Sequence, residues 1–552
     1  MYKFEGQFDD IDEQTFSQAV FAHHSLGFKT SQSGKDKEAL ITDLDQSIPL
    51  HARHGLGDGG SGVVKSFGNT RSQRRNALFL KLENGAQIHL RCVDEVGHKV
   101  KVRTKVAARP CQAYSCAVAI FWFRRDLRLG DHPALAQALR TGEVAPVYIR
   151  DHSLATSERR SSYLAASLQA LDESLGGNLH VYEGDPVEIL KKLSAQFGEV
   201  FATEEFTPRA FLRHEKLAQA KITLHQVGSP YAVSPGRVRK SDGTSYRVYT
   251  PFYKAWCAVG WRAPAELPEV QKWIAPPSTA RNFPRITCHT PAAGEVAALT
   301  RWREFYKNDL ARYDEERNRA DLNSTSGLAR HLRWGEIHPR TILAELNQSN
   351  AHEVFRKEIA WREFYADVLF HEPHTNLDYY KPEFAKMRYN EPGAAFKAWC
   401  QGKTGYPFVD AGMRQLNEEG WMHNRLRMVV ASFLIKDLHL EWQHGARYFM
   451  EKLFDGDVAS NSHGWQWTAG TGTDASPYYR VFNPIEQGKR FDPEGLYIKK
   501  YVPELAHLSA EEVHEPWLYL DGLSHGYPER IVDHATERHE ALARLAELKP
   551  KS

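Results

Sequence analysis

Between residues 117 and 228 short apolar runs alternate with amphipathic stretches, and this alternation restricts the fold more than any other feature of the chain. VAIFWF (118–123), VAPVYIR (144–150), LHVYEG (179–184), EVFAT (199–203) and ITLHQV (222–227) have the length and content of strands. PALAQALR, SSYLAASLQALDESL, PVEILKKLSAQF and AFLRHEKLAQA lie between them with apolar residues at helical spacing. Strands joined through helices return in the same direction. The pattern therefore predicts βαβ units and a parallel sheet covered on both faces.

A proline-rich connection follows at 229–300, with a turn at Ser241-Asp242-Gly243, and from 301 to about 455 the pattern is almost wholly helical. At 552 residues the chain exceeds one ordinary core. The expected organisation is a doubly wound, Rossmann-like α/β domain over 117–228, a connector over 229–300 and a helical domain over 301–545. Nine of the thirteen tryptophans fall between 302 and 517, so the aromatic chemistry belongs to the helical domain.

Residues 1–116 have a different character, rich in Gly, Ser, His and Lys. One hairpin is predicted around ALFLKLENGAQIHLRCV, with Asn84-Gly85 as its turn. GLGDGG (55–60) matches GxGxxG on paper, but no strand precedes it and no helix follows, so a flexible glycine-rich segment is the better reading. The next methionine after Met1 is Met387. Translation from near Val118 is thus an open alternative, and the extension has no assigned role.

The formal charge of +2, with 25% charged residues, argues against a polycation yet permits a local basic groove. Six cysteines occur without a CxxC, which suggests neither a disulfide framework nor a zinc ribbon and fits a reducing cytoplasm. There is no apolar run of about 18 residues, and no signal peptide is expected because residues 8–14 are acidic. HEPH (371–374) invites a metal reading, but Pro373 disrupts the helix and the spacing is not HExxH, so no metal is expected.

Three segments carry chemistry. In EIAWREFYADVLF (358–370), Glu358, Trp361, Arg362 and Tyr365 share one helical face. A carboxylate, an indole, a guanidinium and a phenol make either an interface with a buried salt bridge or a wall for a planar polar ligand. In WMHNRLRMVVASFLIKDLHL, Asn424, Arg427, Met428 and Ala431 repeat the device; a buried Arg427 needs a carboxylate, and Asp455 or Asp457 would serve. Ser324, Thr325 and Ser326 precede a helical run, as an N-cap or a diphosphate seat. Finally, DGDVASNSHGWQWTAGTGTDASPYY (455–479) shows neither helical nor strand period and reads as an irregular loop. Its indoles are buried plugs or partners for a flat, conjugated ligand.

Together these pieces resemble the photolyase/cryptochrome flavoproteins, and within them the bacterial class I-like enzymes that act on cyclobutane pyrimidine dimers. FWFRRDLRLGDHPAL (121–135), PYAVSPGRVRKSDGTSYRVYTPFYKAW, TSGLARHLRWGEIHPR, WREFY, TGYPFVDAGMRQL, GWMHNRLRM and DGDVASNSHGWQW through TGTDASPYYRVFNP occur in the family's order, covering about 117–545. The resemblance implies a U-shaped FAD in the helical domain. Tyr313, Thr325, Ser326, Gly327, Leu328, Ala329 and Phe355 would line it, and Asp455, Gly456 and Asp457 would hold its isoalloxazine edge and folded chain, with Arg427 paired to Asp455. Asn461 would sit beside flavin N5.

The same resemblance implies a relay of Trp465, Trp442 and Tyr389 for photoreduction. Glu358, Asn424 and Met428 would act on the dimer, Trp361 and Trp467 would clamp it, and Arg317, Arg362, Arg425 and Gln487 would meet UV-damaged DNA. Excited, fully reduced FAD would then split a flipped-out dimer by electron transfer. An antenna chromophore, methenyltetrahydrofolate or a deazaflavin, is implied for the α/β domain, and a monomer is expected. The chain departs from the family at Gly327, Ala329, Arg330, Phe355 and Tyr389. A cryptochrome-type blue-light photoreceptor is the rival reading; the short segment after YVPEL speaks against it. Repair of (6-4) photoproducts is another, and Asn424 and Met428 fit it poorly.

Overall fold

The computed structural model describes residues 61–64, 77–83, 87–93, 99–104, 118–151, 157–473 and 479–548. Two compact units divide the chain, Met1–Ser115 and Cys116–Ser552. In the first, β1 (Ser61–Val64), β2 (Ala77–Glu83), β3 (Gln87–Val93) and β4 (Lys99–Thr104) form an antiparallel sheet in sequence order. β2 and β3 pair from Ala77↔Val93 to Glu83↔Gln87, which is the predicted hairpin. Its Asn84-Gly85 turn and the GLGDGG segment lie outside the described residues.

The second unit opens with the α/β layer. β5 (Ala119–Phe123), α1 (Pro133–Thr141), β6 (Val144–Arg150), α2 (Glu158–Ser174), β7 (His180–Glu183), α3 (Pro186–Gln196), β8 (Val200–Ala202), α4 (Pro208–Gln219) and β9 (Leu224–Gln226) alternate as predicted. The sheet order is β7-β6-β5-β8-β9 and every pairing is parallel. Strand parity sorts β5 between two cores: Phe121 and Phe123 join Leu135, Tyr163 and Leu168, while Ile120 and Trp122 join Leu190, Leu193 and Leu217. Three helices start alike, with proline in the first turn behind His132, Asp185 or Thr207, whose side chains accept a backbone N–H. The crossovers diverge between β5 and β8, so a crevice opens at the carboxyl ends of those strands.

The helices that position the site are α5 (Tyr249–Val259), α6 (Ala329–Trp334), α7 (Asn350–His371), α8 (Asn424–Lys436), α9 (Trp442–Lys452), α10 (Val458–Ala469) and α11 (Pro484–Phe491). One core joins Trp399, Phe408, Met413, Val430, Phe433, Trp442, Phe449 and Trp465. A second packs Tyr249, Phe252 and Trp256 against Phe355, Ile359 and Phe364. None of the described helices is long and apolar enough to cross a membrane.

One expectation is overturned. The stretch from 455, read as irregular, contains the regular helix α10. Asp457 caps it by accepting the Ser460 N–H, and Gly470, at φ 80°, ends it in the left-handed region. Periodicity failed because Ala459, Ser462, His463, Trp465, Gln466, Thr468 and Ala469 are all buried, which leaves too little polar face to make a pattern. The correction has a consequence for function. Residues two apart on a helix point roughly 200° apart, so Trp465 and Trp467 address opposite sides of α10.

Candidate active site

The predicted face of α7 is its least buried one: Glu358, Trp361, Arg362 and Tyr365 are partly exposed, while Phe355, Ile359, Ala360 and Phe364 are buried. Trp361 stacks on Tyr249 of α5, with centroids 3.6 Å apart and planes 6° from parallel. The segment PYAVSPGRVRKSDGTSYRVYTPFYKAW thus supplies part of the wall through Tyr249, a residue not singled out within it. Glu358 pairs with Arg317 (Oε1–Nη1, 2.6 Å). Burial raises the Glu358 pKa and Arg317 opposes it, so this carboxyl sits above its ordinary value. Arg362 turns away from that face. Its guanidinium donates to the carbonyls of Pro230 (3.1 Å) and Leu332 (3.2 Å) and lies 4.6 Å over Tyr231.

On α8, Asn424 is exposed at the first residue of the helix, behind the capping His423, and Met428 is half-buried. Arg427 donates to Asp455 Oδ2 (2.8 Å) and to the Met422 carbonyl (2.9 Å). Of the two carboxylates the sequence offered, Asp455 is the partner. Arg425 donates to Asn318 (2.7 Å) and covers the Phe491 ring at 4.4 Å. Burial and the neighbouring Arg317 and Arg490 push its guanidinium down to about 10. Three guanidiniums thus gather at one rim with Gln487 of α11, whose Oε1 is buried and without a partner. Such a concentration of positive charge suits a phosphate backbone.

Both oxygens of Asp457 are taken by protein. Oδ1 caps α10, and Oδ2 accepts from Arg125, in the turn after β5. Burial would raise this carboxyl, but Arg125, Arg333 and Arg362 hold it well below the usual carboxylate range. Arg333 donates to the Gly456 carbonyl (2.8 Å); burial and Arg125 push it down to about 9. These bonds use one lone pair on each oxygen and leave a second, so they do not bear on the expected contact of Asp457 with FAD. Neither Arg125 nor Arg333 was singled out from the sequence, and the pairing across some 330 residues left no local signal.

The hydroxyl segment behaves first as local structure. Arg301 donates to the carbonyls of Thr325 (2.7 Å) and Ser326 (2.9 Å), and Ser326 Oγ accepts the Leu328 N–H (3.3 Å) just before Ala329 opens α6. Gly327 adopts φ 63° there. Tyr313 and Phe355 are buried in an aromatic box, with Phe355 5.8 Å from Trp302, 5.1 Å from Phe305 and 5.2 Å from Tyr313. An open cleft of about 570 Å³ lies beside this segment, lined by Arg301, Asp309, Arg312 and Ser324, the last of these the first hydroxyl of the segment.

Trp465 is buried, 4.9 Å from Phe449 and 6.2 Å from Trp399. It fits only because residue 445 of α9 is glycine: a Cβ there would lie 2.0 Å from Trp465 Cη2. Trp442 is buried one turn earlier on α9. Trp467 is half-buried. Asn461, in the first turn of α10, donates to the Ala446 carbonyl (3.1 Å). Gln466, between the two indoles, donates to the carbonyls of Thr375 (2.8 Å) and Asp378 (3.2 Å) and accepts the Tyr380 N–H (2.7 Å), so it ties residues 375–380 to α10. Tyr389 meets Tyr379 rather than a tryptophan (6.4 Å, 18°).

Two buried atoms in this region are left without partners, as a site that takes a polar group would leave them. Asp455 Oδ1 is an acceptor without a donor, and Trp465 Nε1 a donor without an acceptor. Among the described residues no cluster of His, Cys, Asp or Glu could hold a metal ion.

Comparison with known proteins bears on the fold and on the cofactor domain. The family described as DNA photolyase matches residues 119–271, and the FAD binding domain of DNA photolyase matches residues 355–547. The deoxyribodipyrimidine photo-lyase of Escherichia coli is 38% identical over 464 residues, 77% of this chain and 97% of that one. Its Agrobacterium fabrum counterpart is 39% identical over 475 residues, covering 78% and 98%. Among solved structures, a bacterial class III photolyase from Agrobacterium tumefaciens superposes with a TM-score of 0.71 at 36% identity, over 80% of this chain and 99% of that one. An archaeal photolyase from Sulfolobus tokodaii with two FAD molecules gives 0.70 at 29%, over 78% and 100%. The chain belongs to the DNA photolyase family. Its activity is that of a deoxyribodipyrimidine photo-lyase: light-dependent DNA repair with FAD.

Proposed function

We propose that a cyclobutane pyrimidine dimer, extruded from UV-damaged DNA, is held between the Trp467 side of α10, the Glu358–Trp361 face of α7 and the Asn424–Met428 face of α8. The observation that carries this reading is the opposition of Trp465 and Trp467 across α10: one indole is sealed in the core and the other is turned toward an accessible side. FAD, bound and reduced, supplies the light-driven electron. Trp467 and Trp361 stack on the bases, a contact worth about 1–3 kcal/mol per base. Glu358, with its raised pKa and Arg317 at 2.6 Å, is suited to hydrogen-bond a dimer carbonyl and to hold a proton there. Arg317, Arg425 and Gln487 meet the phosphates beside the extruded bases, giving affinity without sequence preference.

Asp455 and its partner Arg427 hold the polar edge of FAD, and the Tyr313–Phe355 box and residues 325–329 stand behind its phosphate side. Residues 117–228 form the antenna domain, 229–300 the connector and 301–545 the catalytic domain. A second chromophore docks at the carboxyl ends of β5 and β8, where Trp122 lies under the guanidiniums of Arg124 (4.8 Å) and Arg213 (5.2 Å). It is methenyltetrahydrofolate or a deazaflavin, and mass spectrometry of released chromophores distinguishes them. The protein works as a cytoplasmic monomer; Cys257, Cys288 and Cys400 are free thiols, as a reducing compartment would keep them.

Illumination of the reduced, FAD-containing protein with dimer-bearing single-stranded DNA tests the reading. Recovery of thymine absorbance is the expected result. FAD bound without that recovery would favour the photoreceptor reading instead.

A further inference from the structure

The path by which an oxidising equivalent leaves the protein core runs through two residues, Tyr379 and Glu441, that the motifs did not mark. Trp442 is sealed in the core, and the ring beyond it is Tyr379, edge-on at 6.3 Å and 85°. Tyr379 is buried to the same degree, and its far side stacks on Tyr389 at 6.4 Å and 18°. Tyr389 is half-buried and so reaches solvent. The three rings form a graded series from core to surface.

Tyr379 is equipped for more than packing. Its hydroxyl donates to Glu441 Oε1 at 2.9 Å. Glu441 is the residue immediately before Trp442 and stands at the N-cap of α9, yet its side chain makes no capping bond. That carboxylate serves the phenol instead of the helix end, an unusual choice for an N-cap residue. The partners are also fixed in place. Gln466 binds the Thr375 and Asp378 carbonyls and the Tyr380 N–H, which anchors the segment bearing Tyr379 to the helix bearing Trp465. Asn390 donates through its side chain to the Leu438 carbonyl (3.0 Å) and through its backbone to the His439 carbonyl (2.8 Å), which fastens Tyr389 to the loop leading into α9.

We propose that Tyr379 passes the oxidising equivalent from Trp442 toward Tyr389, and that Glu441 accepts its phenolic proton. The inference rests on the reading of Trp465 and Trp442 as electron carriers to photoexcited, oxidised FAD. The step balances. The indole radical cation of Trp442 takes one electron from Tyr379, the O–H bond breaks, and the proton crosses the 2.9 Å hydrogen bond to the carboxylate. The products are a neutral indole, a neutral tyrosyl radical and a carboxylic acid. Transfer of a hydrogen atom from Tyr389 then moves the radical to the surface, where a soluble thiol reduces it. A phenol whose cation is a very strong acid requires such an acceptor, and an indole does not. This is how the chain can do without a tryptophan at position 389.

Flash excitation of the purified protein with oxidised FAD, followed by transient absorption and EPR, tests the assignment. The wild type should replace the tryptophan radical cation by a neutral tyrosyl signal. Tyr379→Phe should lose that signal and leave the tryptophan radical to recombine. Glu441→Gln should slow tyrosyl formation by about a hundredfold, the contribution of a positioned proton acceptor, and should alter its solvent isotope effect. A tyrosyl signal unchanged in Tyr379→Phe but absent in Tyr389→Phe would overturn the role of Tyr379; wild-type kinetics in Glu441→Gln would overturn that of Glu441. Should Tyr379→Phe fail to fold, Glu441→Gln decides alone. Repair of dimers by chemically reduced protein is measured alongside and should survive in Tyr379→Phe. A reduced wild type that holds FAD and repairs nothing would count against the repair reading and not against this relay.

Discussion

Arg125, in the turn that follows β5, is paired with Asp457, the residue that caps the helix bearing both Trp465 and Trp467. The α/β layer therefore reaches into the site through one charge. Asp457 answers three guanidiniums at once, those of Arg125, Arg333 and Arg362, which hold its carboxyl well below the usual carboxylate range. Removing it leaves Arg333, already pushed down to about 9, with only the smaller compensation of Glu205.

Asp457→Ala should accordingly cost about 3–5 kcal/mol of stability, the loss for breaking a buried pair and a cap together. Arg125→Ala should cost about 2 kcal/mol, because two guanidiniums still face the carboxylate. Asp457→Asn should fall between them, since an amide can cap but cannot neutralise. Urea unfolding of the three variants checks the order.

Gly445→Ala tests the seat of Trp465. A methyl group there would stand 2.0 Å from Cη2 and 2.5 Å from Cζ3 of the indole, and 2.6 Å from Leu434. The ring must move, with an overpacking cost of about 1–3 kcal/mol. Slower photoreduction of bound FAD is expected, with repair by the chemically reduced protein far less affected. Photoreduction rates of the two proteins, measured under the same illumination, settle it.

The α/β layer was legible because its elements obey local rules: β5 is a continuous apolar run, and three of its four helices begin with a cap and a proline. The faces of α7 and α8 were legible for a similar reason, since four polar or aromatic residues at helical spacing must share a side. α10 was not. A helix buried nearly all round has no polar stripe, and its start signal, Asp457 before Val458, is one residue among many aspartates. Contacts between distant segments were also hidden. Arg125 with Asp457, Tyr379 with Trp442 and Tyr249 with Trp361 depend on how the chain returns on itself, which no window of sequence contains. The bonds of Arg362 to the carbonyls of Pro230 and Leu332 were hidden in the same way.

Glu358→Ala should lower the yield of dimer repair by about tenfold, the value of one charge-assisted hydrogen bond. FAD content should not change, because the contact Glu358 makes is with Arg317, whereas Arg427 and Asp455 stand on other elements. Flavin absorbance of the purified variant and the repair yield per absorbed photon provide the two readings. Loss of flavin would place Glu358 on the cofactor side.

His463 gives the protein a sensitivity to acid that can be removed. It lies buried in α10, stacked on Tyr365 at 5.7 Å and 23°, and burial pushes its imidazole down to about 4 against the opposing pull of Asp457. The unfolded chain binds this proton near 6.5 and the folded one only near 4, so the native state falls behind in proton uptake as pH drops. The stability that neutral His463 allows is complete above about 6.5 and is lost progressively toward 4. By pH 5 the loss amounts to about 2 kcal/mol. Buried Asp410, Asp437 and Asp492, each raised to about 6 by burial, act in the opposite sense, since their protonated forms are favoured in the fold. The comparison must therefore be between proteins at each pH. His463→Gln should lose about 2 kcal/mol less than the wild type between pH 7 and pH 5. Paired urea titrations at the two pH values measure it, and parallel losses in both proteins would show that His463 takes up its proton while folded.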